Sequence, residues 1–247
     1  DWLTDLVASG ATEIQLDEPA LVLDLSPAEI DGYRRAYVRL RDAVPTAKLT
    51  LATYFGGLGD NLELAVGLPV DVLHVDLVRD RDQLDAVVAA APASLVLSLG
   101  AVDGRNVWRT DLTAVYERLL PVVRRLGVER VQLAPSCSLL HLPVDLASET
   151  GDDAELASWL AFATQRLDEV ALLAGALNGD ADALAGLAES TGVLAARRTS
   201  PRVLQPAVQE RLAAITPDWS RRAAAYPQRA VVQHARLGLP LLPSTTI

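Results

Sequence analysis

The chain has 247 residues, 50% of them hydrophobic and 22% charged, with a formal net charge of −10. That is enough apolar sequence for a packed core, while the acidity excludes the basic face that nucleic acid or an anionic membrane requires as a partner. One cysteine rules out an internal disulfide framework and fits a reducing, cytoplasmic setting; no apolar run approaches the roughly 18 residues of a membrane span.

In chain order, Trp2–Gly10 reads as the end of a helix with Gly10 at its C-cap. Glu13–Asp17 (EIQLD) is a short apolar strand halted by Glu18-Pro19. Ser26-Pro27-Ala28-Glu29 starts the next helix: Ser26 caps it, Pro27 occupies its first turn and Glu29 stands three positions on. That helix is predicted to reach Asp42 or Ala43. Lys48–Tyr54 is a second strand, Gly56–Gly59 a turn, and Asp60 a cap for the helix Asn61–Val66. Strand Val72–Leu77, helix Asp80–Ala90, strand Leu95–Val102, helix Thr110–Leu126 and strand Arg130–Cys137 follow. Short, nearly continuous apolar runs separated by helical crossovers are the pattern of buried parallel strands. Their repetition predicts an α/β fold, a partial (β/α)8 TIM-type barrel with about five βα units of the eight that closure needs. Beyond Asp152 the pattern is helical: Glu155–Leu177 as one long amphipathic helix, then Ala181–Ala196, Pro201–Ile215 and Pro217–Leu237. Gly238–Ile247 reads as an extended linker. The expected organisation is residues 1–177 as the second half of a barrel, 178–237 as a helical tail and 238–247 as a linker. The missing Met at position 1 suggests a translational start further upstream.

In barrels the strand ends carry the chemistry. Asp17 and Glu18 end the first strand, where paired carboxylates suit acid–base work or equally the capping of a turn. His74 and Asp76, two apart on one strand, share a face; metal ligation competes with a hydrogen-bonded core histidine, and the core reading is favoured. Ser136-Cys137-Ser138 and His141 offer a thiol near an imidazole, but one cysteine without a matched second ligand favours a structural thiol. Arg105 and Arg109, in the loop after the fourth strand, suit an anion or a tie to Asp103 and Asp111. The chain has no phosphate loop, no dinucleotide fingerprint and no HExxH.

The segments Ile14–Leu25, Leu73–Val78, Ser98–Asp111 and Ala134–Leu146 resemble cobalamin-independent methionine synthase, and more narrowly the later part of its N-terminal domain. Glu155–Glu169 and Leu239–Ile247 continue the likeness in order. The resemblance implies one half of a two-barrel enzyme that moves a methyl group from 5-methyltetrahydropteroyl-polyglutamate to homocysteine. Its zinc would sit in the C-terminal catalytic barrel, the partner of this part, and this part would be scaffold. It also implies that the two barrels are duplicates. On the zinc-binding layout, Ala52 and Tyr54 then fall where the family has a His and a Cys, Asp76 where it has a Glu, and Cys137 where it has a second Cys. Gly104 falls near the proton-donating His, and Leu23 replaces a Glu. Asp17, Asp76 and Cys137 are thus expected to be relics of a site, with no zinc bound here. Ile247 matches the Ile of a homocysteine-holding segment. The alternative is a stand-alone barrel-like binding protein that has lost the zinc site.

Overall fold

The computed structural model describes residues 2–151 and 153–244. Its elements are α1 (Trp2–Ala8), β1 (Glu13–Asp17), α2 (Pro27–Ala43), β2 (Lys48–Ala52), α3 (Leu62–Gly67), β3 (Val72–Asp76), α4 (Gln83–Ala90), β4 (Val96–Val102), α5 (Leu112–Leu126), β5 (Val131–Pro135), α6 (Ala154–Ser158), α7 (Ala163–Leu177), α8 (Ala181–Thr199), α9 (Pro206–Ala213) and α10 (Tyr226–Leu237). All five strands are parallel and lie in sequence order, β1-β2-β3-β4-β5. This is the wound α/β sheet of a partial TIM-type barrel.

Strand register sorts the side chains into two unlike faces. Ile14 stands opposite Leu49, Leu51 opposite Leu73, and Leu97 opposite Val131; Val75 faces Leu99, which faces Leu133. This apolar face joins the helices in the core, where Leu51, Leu73, Val75, Leu97 and Leu99 are wholly buried. The alternate face is polar: Gln15 opposite Thr50, and His74 opposite Ser98, which faces Gln132. These side chains line a trough of about 680 Å³ running from β1 to β5.

Local chemistry accounts for most element ends. The Ser26 hydroxyl accepts from the Glu29 N–H, and the Glu29 carboxylate accepts from the Ser26 N–H at 2.7 Å, a reciprocal cap on α2. The helix expected over Asn61–Val66 has no side-chain cap. Asp60 makes no cap, and the Asn61 amide instead donates to the carbonyls of Leu21 and Leu23, tying the loop after β1 to α3.

The expected single helix Glu155–Leu177 is broken. Leu160 pairs with Trp108 as an antiparallel bridge, the Arg109 N–H donates to the Trp159 carbonyl at 2.9 Å, and the Ala161 N–H donates to the Val107 carbonyl at 2.8 Å. The residues at the break are apolar, with Trp159, Ala161 and Phe162 buried, so the helical period runs through them undisturbed. α9 begins only at Pro206 and α10 at Tyr226-Pro227, because a proline in the first turn costs no hydrogen bond whereas one further inside does. Two compact units divide between Arg197 and Arg198. No described helix is long and apolar enough to cross a membrane.

Candidate functional site

The strand C-termini gather Asp17, Glu18, Tyr54, Phe55, Asp76, Asp103, Cys137 and His141, yet nearly every polar group there is engaged in holding a loop. Asp76 is 1% exposed. One carboxylate oxygen accepts from the Val78 and Arg79 N–H groups, each at 2.9 Å, and the other from the Phe55 N–H at 3.0 Å. Phe55 has φ of 74°, the left-handed region that a bulky side chain rarely adopts. Asp76 thus fixes two loops, one of them strained. Gln83 braces the same turn, donating to the Asp76 carbonyl at 2.8 Å and accepting from the Leu58 N–H.

Asp17 accepts from the Gln15 amide at 2.7 Å and from the Tyr54 hydroxyl at 3.4 Å. Glu18 turns away from it, accepting from the hydroxyls of Tyr33 and Tyr37 on α2 at 3.1 and 3.0 Å. Burial and the Glu18 charge push the Tyr33 hydroxyl up to about 12, and Tyr37 higher for the same causes. The two carboxylates therefore do not act as a pair.

His74 donates from Nε2 to the Ser136 carbonyl at 3.3 Å, which leaves Nδ1 to accept from the Ser98 hydroxyl at 2.9 Å. Burial lowers its pKa, so the ring is neutral and both nitrogens are spent. Cys137 is buried and its thiol is pushed up by that burial. His141 packs its ring edge on Phe55, with centroids 5.7 Å apart, and makes no bond to the thiol. Gly104 lies against Cys137 so closely that a Cβ there would stand 2.7 Å from the Cys137 carbonyl oxygen. Among the described residues no three His, Cys, Asp or Glu side chains converge as a metal-holding group.

Arg105 and Arg109 part company. The Arg105 guanidinium lies 4.8 Å over the Phe55 ring, while Arg109 lines a separate cavity beside α5. Sequence reasoning passed over Arg166 and Glu169. Arg166, wholly buried, meets the Glu169 carboxylate at 2.6 Å, the Thr110 hydroxyl at 2.8 Å, the Trp108 carbonyl at 2.6 Å and the Asn106 carbonyl. Glu169 accepts in turn from the Thr110 N–H and hydroxyl. The signal was present: Arg166, Glu169, Leu173 and Ala176 share one helical face, so a charged pair sits on the apolar stripe of α7. Ile247 lies outside the described residues.

A five-stranded parallel sheet with flanking helices defines a β/α protein of the partial TIM-barrel class. Residues 1–127 match the family model described as cobalamin-independent synthase, N-terminal domain. The chain is 55% identical over 246 residues to the 5-methyltetrahydropteroyltriglutamate–homocysteine methyltransferase of Caulobacter vibrioides, covering 99% of this chain and 32% of that protein. It is 53% identical to the enzyme of the same name from Nitrobacter winogradskyi, covering 100% of this chain and 32% of that one. A Listeria monocytogenes structure described as a candidate vitamin-B12 independent methionine synthase has a TM-score of 0.49 and 16% identity, over 70% of this chain and 49% of that chain. The chain belongs to the cobalamin-independent methionine synthase family. It spans about a third of the length of the curated relatives it matches.

Proposed function

We propose that this chain is part of a cytoplasmic enzyme that transfers the methyl group of 5-methyltetrahydropteroyl-polyglutamate to homocysteine, and that this part is non-catalytic scaffold for a C-terminal catalytic barrel. The identity to named methyltransferases supports the reaction. One observation carries the scaffold role: the Asp76 carboxylate is saturated by three backbone N–H groups. At the family's zinc-binding positions, Ala52 has no donor atom, the Tyr54 hydroxyl is turned to Asp17, and Cys137 is held as a thiol. A zinc site needs at least three protein ligands, and this set does not fit one. Asp17, Asp76 and Cys137 are accordingly relics kept for structure, and zinc belongs to the catalytic barrel. The homocysteine contact proposed for Ile247 rests on the resemblance of Leu239–Ile247 to the family's linker segment.

The test is a methyl-transfer assay of the purified chain with homocysteine and the methylated folate. No methionine is expected; steady turnover would overturn the scaffold role.

A further inference from the structure

Three arginines outside the rim cluster line one cavity of about 300 Å³ within the first unit: Arg81 just before α4, Arg109 in the loop after β4, and Arg118 on α5. None of their guanidinium groups makes a hydrogen bond or ion pair among the described residues. Arg109 and Arg118 are nonetheless half-buried. Charge withdrawn from water is costly unless a counter-charge meets it. Two carboxylates also border the cavity, those of Asp103 and Asp111, against three guanidinium groups. Asp103 accepts from the Arg105 N–H at 2.9 Å, and Asp111 caps α5 by accepting from the Ala114 N–H at 3.2 Å. A cationic hollow thus stands on a chain of net charge −10.

The hollow is also built to keep its shape. The loop carrying Arg109 is fixed from behind by Arg166 and Glu169 and by the bridge between Trp108 and Leu160. Leu77 and Leu119 supply an apolar wall beside the cationic groups. Guanidinium forks carried on three elements can offer paired N–H donors to the oxygens of a tetrahedral oxyanion.

We infer that this cavity binds a phosphate group, free or as a phosphate monoester, between Arg81, Arg109 and Arg118. The site stands independently of the methyl-transfer reading. The test is calorimetric titration of the 247-residue chain at low ionic strength with inorganic phosphate and, separately, with propyl phosphate. Saturable binding at one site is expected, weakened about tenfold by Arg81→Gln and by Arg118→Gln, as loss of one charge-assisted contact implies. Arg81 is exposed, so Arg81→Gln leaves the thermal melt unchanged and keeps the test separate from folding. Tighter binding of propyl phosphate assigns the site to a monoester that uses the apolar wall; equal binding assigns it to free phosphate. No saturable binding of either ligand, or binding untouched by both substitutions, would overturn the inference.

Discussion

Asp76 illustrates how a carboxylate at a barrel rim becomes a structural part. Its removal strands three backbone donors that it now satisfies. Asp76→Ala is expected to cost about 3 kcal/mol in urea unfolding, with Asp76→Asn in between because one acceptor oxygen remains. A loss within experimental error for Asp76→Ala would show that the loops hold without it. The buried pairing of Arg166 with Glu169 has a similar logic. Glu169→Ala leaves a guanidinium buried without its counter-charge and is expected to cost about 3 kcal/mol or more. His74 gives a pH dependence. Burial holds its folded pKa below the ordinary 6.5, with the Asp76 and Asp17 charges acting the other way. Below 6.5 the unfolded chain binds the proton more readily than the folded one. Stability is therefore complete above the unfolded value and falls as pH drops through 6.5 toward the folded value. His74→Gln should flatten that slope between about pH 7 and pH 5 in denaturant midpoints, a range above the ordinary carboxylates.

At the level of elements, β4 is closely packed at Gly100. A Cβ at Gly100 would meet the Val75 carbonyl at 2.8 Å and both the His74 ring and the Ser136 backbone at 2.9 Å. Gly100→Ala is expected to destabilise by about 2 kcal/mol, because two of those three neighbours are backbone that cannot step aside. The strands themselves were legible from sequence, since apolar, β-branched runs bounded by turn residues read directly as buried parallel strands. Expected Glu13–Asp17 is β1 unchanged, and Val72–Leu77 and Leu95–Val102 differ from β3 and β4 by one residue each. The capping box at Ser26 and Glu29 was equally plain. The break after Ser158 was hidden, because it comes from backbone pairing with a loop fifty residues earlier rather than from any helix breaker. At the site, neighbours in sequence part company in space. Whether Glu18 faces Asp17 or the tyrosines of α2 depends on side-chain direction after a turn, which spacing does not encode.

For the whole molecule, the sheet has two open margins: β1 pairs only with β2, and β5 only with β4, among the described residues. Unpaired parallel edges invite another chain. The isolated chain is expected to self-associate, and more so at higher salt, because its net charge of −10 repels copies that salt would screen. A monodisperse monomer by light scattering at all ionic strengths would contradict this. The central claim is that the metal-grasping positions of this barrel have been turned to structural use. Its most direct test is a zinc titration of the purified chain against a chromophoric competitor, with thiol–metal charge-transfer absorption as the second readout. The account predicts no competition and no such band. Stoichiometric zinc lost on Cys137→Ser would contradict it.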